Sequence, residues 1–204
     1  MKILALTQRV EHVPDYNETR DCIDQNWYGF VMCCGFLPLL LPNSLEAVRL
    51  LIDKIKISGI IITGGNNLVK YGGNAQERDN VESFLVSLAV AEDIPLLGVC
   101  RGMQVIQDYF GVALEQVKGH VAVMHELTMN REKVIKNSYH SYCSKNSVDE
   151  LIVSAVSEDG AIEAVKHYNK KIFGIMWHPE RNRPFDTSDI DLVKEIFKDE
   201  DQKR

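Results

Sequence analysis

The sequence predicts an α/β fold: a mostly parallel central sheet flanked by helices, with extra strands in the C-terminal half. Three observations predict it. Short, continuously apolar runs such as Gly59-Ile-Ile-Ile-Thr63 and Pro95-Leu-Leu-Gly-Val99 read as strands buried on both faces, as in a parallel sheet covered on each side. As far as Gly111 these runs alternate with segments of helical periodicity. Beyond Gly111 helices become scarce and strand-like segments follow one another.

Taken in order, Lys2 to Gln8 is rich in Ile and Leu and reads as the first strand. Asp21 to Gly35 is expected to form an amphipathic helix. Phe36 to Leu41 is an apolar run closed by Pro42, which fits a buried strand. Asn43 or Ser44 is placed to cap a helix reaching about Ile57, with its end near Gly59. The β-branched run from Gly59 to Thr63 ends in Gly64-Gly65. Arg78 to Glu92 is helical, Pro95 to Val99 is a buried strand, and Met103 to Phe110 is a helix that stops at Gly111. Strands are then expected near 120–127, 133–135, 151–157, 161–167 and 171–176, before a closing helix from Asp189 to Lys198. There is no internal repeat, low-complexity tract or linker, so residues 1–204 are expected to form one domain of ordinary size.

The bulk properties exclude several classes. A formal net charge of -6 argues against a surface that coats nucleic acid. No stretch approaches the roughly 20 apolar residues that span a bilayer, so no membrane partner is expected. Residues 1–10 lack the charged, apolar and cleavage regions of a secretory signal, and a cytoplasmic location is expected. The five cysteines are odd in number and contain no paired C-x-x-C, which excludes a disulfide framework and a structural zinc site. Gly64-Gly65 lacks the G-K-[ST] of a phosphate-cradling loop. His120 and His125 stand five apart without a carboxylate pattern, so no metal site is expected there.

The chemistry is concentrated at Cys100. An apolar strand ends at Val99, Gly98 and Gly102 frame the cysteine, and a helix follows. That is the thiol form of a nucleophile elbow, a tight strand-to-helix turn that lifts a reactive side chain above the sheet edge. A thiol at a helix N-terminus is also acidified by the free N–H groups there, and the Arg101 N–H is placed to help bind an oxyanion. Cys22, Cys33, Cys34 and Cys143 have no such frame and read as packing or surface residues. A thiol nucleophile needs a base, and the base needs an orienter. His178 follows the apolar strand 172–177 and opens His178-Pro-Glu180. In an extended segment residues two apart share a side, so Glu180 is expected to orient the imidazole. His140, in Asn137-Ser-Tyr-His140, is the rival base and ranks lower because no carboxylate adjoins it.

Gly98-Val-Cys-Arg-Gly-Met-Gln104 together with Trp177-His-Pro-Glu180 resembles the class I glutamine amidotransferase superfamily. The nearer likeness is to its γ-glutamyl hydrolase branch, on Thr63-Gly-Gly-Asn66, Arg78-Asp79, Cys100-Arg-Gly-Met-Gln104 and Asn137-Ser-Tyr-His140, in that order along nearly the whole chain. The resemblance implies a flavodoxin-like three-layer fold and hydrolysis of a small γ-glutamyl substrate, with no cofactor. It implies a triad of Cys100, His178 and Glu180, with the backbone N–H groups of Gly65 and Arg101 as the oxyanion hole. It sets Gln104, Ser138, Tyr139 and His140 against the γ-glutamyl group and counts Gly64 and Asn66 among the substrate contacts. Arg78, opening a helix with Asp79, is placed either to help hold a substrate carboxylate, with its neighbours, or to form a charge pair on a wet helix N-terminus. Asn66 departs from the branch, which carries an acidic residue there. Arg181, Arg183 and Lys70 are positioned in sequence either to meet a phosphate-bearing leaving group or to form a solvated basic surface. A homodimer stays open. The same triad also suits a glutaminase that delivers ammonia to a synthetase partner. A non-catalytic binding domain ranks last, because all three triad positions are intact.

Overall fold

The computed structural model of the chain describes residues 1–198. From the N-terminus it runs β1 (Lys2–Leu6), β2 (Arg9–Val13), β3 (Glu18–Cys22), α1 (Asn26–Cys33), β4 (Phe36–Leu40), α2 (Leu45–Lys54), β5 (Gly59–Ile62), α3 (Gln76–Glu92), β6 (Leu96–Val99) and α4 (Arg101–Tyr109). It continues with β7 (Glu115–Gln116), β8 (Val121–Met129), β9 (Glu132–Tyr139), β10 (Tyr142–Cys143), β11 (Leu151–Ser157), β12 (Ile162–His167), β13 (Ile172–Ile175) and α5 (Thr187–Ile196).

Nine strands form one sheet in the order β4-β1-β5-β6-β13-β12-β11-β8-β9. The first five are mutually parallel and the rest pair antiparallel. β5 and β6 are buried at every position, which is why they carry Ile and Leu without alternation. One face packs Val48, Val81, Leu85 and Met103 from α2, α3 and α4. The other packs Trp27, Phe30, Val193 and Ile196 from α1 and α5. The architecture is therefore the mostly parallel sheet between two helical layers that the sequence predicts, with the extra C-terminal strands. Ser44 caps α2, its hydroxyl accepting from the Ala47 N–H at 3.4 Å. Among the described residues no helix is long and apolar enough to cross a membrane.

One stretch differs from expectation. The helix expected over 21–35 begins only at Asn26, and Asp21 and Cys22 belong to β3. β3 pairs with β2 in an antiparallel hairpin outside the main sheet. Its strands are polar and largely exposed, so they show none of the apolar alternation that marks a half-buried strand. The hairpin is anchored through polar contacts. Asn66 accepts from the Val10 N–H at 2.8 Å and donates to the Val10 carbonyl at 3.0 Å, and Asn43 donates from its backbone and side chain to Asp21.

Candidate active site

β5, β6 and β13 are neighbours and run parallel, so their C-terminal ends open onto one edge. β5 leads to Gly64-Gly65, β6 to Cys100 and β13 to His178. Ligands of open α/β sheets gather at this edge.

Cys100 sits at φ 54°, ψ −105°, a conformation that costs a non-glycine residue about 1–3 kcal/mol and persists only where its surroundings impose it. They do so here. The Cys100 N–H donates to the Ile175 carbonyl at 2.7 Å, and its carbonyl accepts from the Gln104 N–H at 3.2 Å, which opens α4. A Cβ on Gly98 would run into the backbone of Gly102, and one on Gly102 into the carbonyl of Ile62, so the turn closes only with both glycines. Burial pushes the Cys100 thiol up, but the His178 imidazolium, a hydrogen bond to it, the charge of His140 and the Arg101 N–H together bring it below the ordinary thiol range. Burial pulls His178 down, yet the Cys100 thiolate and hydrogen bonds to Cys100 and Glu180 raise it to about 9. The two shifts have one cause, the attraction between a Cys100 thiolate and a His178 imidazolium.

The His178 Nδ1 lies 2.6 Å from Glu180 Oε1, and both residues are buried. The expected juxtaposition is present, but by another route. Residues 179–181 form a single 3-10 turn rather than an extended segment, with Pro179 at its first position. Asn137 holds the histidine backbone from both sides, accepting from the His178 N–H at 2.7 Å and donating to its carbonyl at 2.9 Å. The Tyr139 ring stands edge-on to the imidazole with centroids 5.5 Å apart. Gly64 lies so close that a Cβ there would stand 2.6 Å from His178 Cε1.

Arg78 departs from its expected role at a substrate carboxylate. It is fully buried and its guanidinium serves the protein. Nε donates to Glu82 at 2.7 Å, Nη1 to the Gly65 carbonyl, and Nη2 to the carbonyls of Thr63 at 2.8 Å and Gly64 at 3.0 Å. Because a trans peptide sets N–H opposite C=O, fixing the Gly64 carbonyl on Arg78 turns the Gly65 N–H the other way. Gly65 itself adopts φ 84°, in the region that favours glycine. Arg101, next to Cys100, pairs with Asp79 and Glu82 beneath the elbow.

Two cavities flank Cys100 and His178 and share Gly65. One, of about 280 Å³, is lined by Asn66, Asn67, Gln104, Tyr139, His140 and Ser141 beside Cys100 and Arg101. The other, of about 340 Å³, lies beyond Gly64 and His178 against the hairpin, where Arg9, Glu11, Asp24, Trp27 and Arg181 line it. Gln104 spans toward the first cavity and donates to the Tyr142 carbonyl at 3.0 Å. Ser138 is buried, and its hydroxyl donates to the His120 carbonyl at 2.7 Å rather than facing the cavity. The Asn66 side chain is engaged by Val10 and by Arg78 at 3.2 Å. Of the three cations weighed against a phosphate, Arg181 alone lines the cleft, its guanidinium 4.2 Å over Tyr139. Lys70 is bonded to Asp108 at 2.6 Å on another face, and Arg183 stacks on Phe185. Sequence reasoning misses Arg9, which lies in a strand without apolar pattern. It also passes over Asn137, although that residue opens a motif that stands out in the chain.

His140 is not without a carboxylate. Glu163, from β12, brings Oε1 within 3.2 Å of its Nε2. Burial lowers His140, and the Glu163 carboxylate outweighs it and leaves the group raised. His178 and Cys100 meet at Gly64, where an added Cβ would stand 3.4 Å from His178 Nε2 and 3.5 Å from Cys100 Cβ.

A family model described as glutamine amidotransferase class-I matches residues 20–191. The γ-glutamyl-CDP-amidate hydrolase of Campylobacter jejuni is 34% identical over 199 residues, covering 95% of this chain and 96% of the relative. A γ-glutamyl-γ-aminobutyrate hydrolase of Escherichia coli is 26% identical over 200 residues, covering 78% and 79%. Among solved structures, a glutamine amidotransferase from Thermotoga maritima superposes with a TM-score of 0.63 at 15% identity, over 95% of this chain and 82% of the other.

Proposed function

This chain belongs to the class I glutamine amidotransferase family, and from that premise we propose that it hydrolyses a γ-glutamyl amide through Cys100 to release L-glutamate. The observation that carries the reading is the meeting of Cys100 and His178 at Gly64, with His178 bonded to buried Glu180 and the cysteine held at positive φ on a helix N-terminus.

The Cys100 thiolate attacks the γ-carbonyl carbon. The oxyanion is assigned to the N–H groups of Gly65 and Arg101, a reading supported by the anchored Gly64 carbonyl and by the start of α4 at Arg101. As the C–N bond breaks, the His178 imidazolium gives its proton to the departing nitrogen, leaving a γ-glutamyl thioester on Cys100. Water then loses a proton to His178 and attacks the thioester. The C–S bond breaks, glutamate leaves, and the thiolate–imidazolium pair is restored. Glu180 keeps the imidazole oriented and favours its charged form in both halves. The smaller cavity at Gln104 and His140 accommodates the glutamyl part, and the cavity against the hairpin receives the leaving group.

The leaving group that fits best is cytidine diphosphoramidate, from γ-glutamyl-CDP-amidate, the compound named in the Campylobacter jejuni relative. Arg9 and Arg181 in the second cavity supply two guanidinium groups for a diphosphate. On this reading the protein serves the synthesis of phosphoramidate-decorated capsule. The test is a product assay on γ-glutamyl-CDP-amidate, γ-glutamyl-γ-aminobutyrate, a γ-glutamyl polyamine and free glutamine. The expected result is glutamate release fastest from the nucleotide conjugate, with Cys100→Ala lowering turnover by about 10⁴-fold or more. Activity on free glutamine alone would move the protein to the ammonia-delivering glutaminase reading. Full activity in Cys100→Ala would end the proposal.

A further inference from the structure

Beside the glutamyl cavity lies a second cluster, of which only His140 lines that cavity and the rest has no part in the hydrolytic mechanism. The sequence shows His120 and His125 without a carboxylate, but the antiparallel half of the sheet brings one to them. Glu163 on β12 is fully buried, and neither of its oxygens has an aligned hydrogen-bond donor. Its Oε1 lies 3.3 Å from His120 Nδ1 and 3.2 Å from His140 Nε2, and these two nitrogens are themselves 3.3 Å apart. Its Oε2 lies 3.7 Å from His125 Nε2, a buried nitrogen that also lacks a partner. Ligand atoms of His120, His125 and Glu163 all fall within 4.8 Å of one another.

We propose that His120, His125, His140 and Glu163 form a binding site for a zinc-class divalent cation. Donors about 2.0–2.1 Å from a tetrahedral ion are separated by about 3.3 Å, which is the edge of the triangle formed by His120, His140 and Glu163. The outward nitrogens of two rings point the same way. His140 Nδ1 lies 3.1 Å from the Tyr142 carbonyl, and His120 Nε2 lies 3.3 Å from Asp159 Oδ2. Ligating histidines characteristically donate their other N–H to a backbone carbonyl or a carboxylate, which fixes the tautomer and leaves the inner lone pair for the metal. Hydrogen bonding alone suits these contacts poorly. One ring can donate to the other across the 3.3 Å between their inward nitrogens, but both oxygens of Glu163 and the Nε2 of His125 are then left without a partner. A cation satisfies both rings in the neutral form and supplies the buried carboxylate with its counter-charge. Three imidazoles and one carboxylate suit Zn²⁺ better than Mg²⁺ or Ca²⁺, which prefer oxygen.

The experiment uses the full chain carrying no histidine tag. Zn²⁺ is titrated in competition with a chromophoric chelator, and Co²⁺ is titrated in parallel for its absorption spectrum. The expected result is one equivalent bound, a tetrahedral Co²⁺ spectrum without a sulfur charge-transfer band, and a rise in unfolding midpoint of about 5–10 °C at a hundredfold excess over the dissociation constant. Asp159→Asn is expected to weaken binding by about ten- to a hundredfold. His125→Ala, at a partly exposed position, and Glu163→Gln are expected to weaken it further, while Cys100→Ala leaves it unchanged. No binding by the wild-type chain overturns the proposal. So does binding that survives in both His125→Ala and Glu163→Gln, or that is lost in Cys100→Ala, since the ion would then sit on Cys100 and His178.

Discussion

Replacing Glu180 with Gln keeps the shape of the side chain and removes its charge. The Nδ1–Oε1 contact is 2.6 Å long and buried at both ends, so water cannot take its place. A hydrogen bond to a charged group is worth about 1.5–3 kcal/mol, and 1.36 kcal/mol corresponds to one pKa unit. Exchanging that charged acceptor for a neutral amide oxygen should therefore lower the His178 pKa by about 1–2 units, from about 9. The direction is set by what remains. Burial is the largest influence on His178 and acts downward, and Glu180 is one of the groups that oppose it. In the pH profile of kcat/KM the basic limb reports loss of the imidazolium, and the acidic limb reports protonation of the thiolate, as properties of the coupled pair. A weaker imidazolium also supports the thiolate less, so the acidic limb should move up while the basic limb moves down. The bell narrows from both sides, and activity at pH 9 falls by about 5- to 50-fold. The assay is initial-rate glutamate release on the preferred γ-glutamyl substrate between pH 5 and 10, with the unfolding midpoint as a control for folding. A basic limb that stays at the wild-type position in a folded Glu180→Gln protein would refute the role given to Glu180.

Gly64→Ala introduces a Cβ that would stand 2.6 Å from His178 Cε1, and the ring must move off Cys100 to admit it. A displacement of this size is expected to cost about 10²-fold in kcat with little change in the thermal unfolding midpoint, measured side by side. Arg78→Met removes one of the two buried arginines paired with Glu82 and the donor to three loop carbonyls, leaving Arg101 on the carboxylate. The unpaired carbonyls then dominate the loss, and the fold is expected to be destabilised by about 1–3 kcal/mol, read as a lower urea midpoint at unchanged slope.

What is legible in the sequence is local in the chain. Cys100 stands between two glycines, after an apolar strand and before a helix, and each of those signals lies within a few residues of it. His178 and Glu180 are two residues apart, so their contact survives even though the connecting geometry is a 3-10 turn and not an extended segment. What is not legible depends on strand pairing. Glu163 reaches His120, His125 and His140 because β12 pairs with β11 and β11 with β8, and no spacing in the sequence encodes that neighbourhood. Ser138 reads as a substrate contact from its motif, yet the strand carries it inward to the His120 carbonyl. The hairpin escapes because polar strands lack periodicity, and Arg9 escapes with it.

Asn66 links the departure from the hydrolase branch to that hairpin. An acidic side chain at this position would accept from the Val10 N–H and from Arg78 as Asn66 does. It has no proton to give the Val10 carbonyl, which Asn66 reaches through Nδ2 at 3.0 Å. The amide thus pairs with both backbone groups of Val10 and holds β2 against the glycine loop, beside the backbone N–H assigned to the oxyanion. β2 in turn places Arg9 and Glu11 in the cavity assigned to the leaving group. The sheet edge carrying Cys100 and His178 is built from fully buried strands and tolerates little change. The wall opposite the leaving group rests on a surface hairpin held by polar contacts, where sequence can vary without disturbing the core. On the proposed function, substrate choice and bond cleavage fall to different parts of the chain, and Asn66 joins them through Val10 and Arg78.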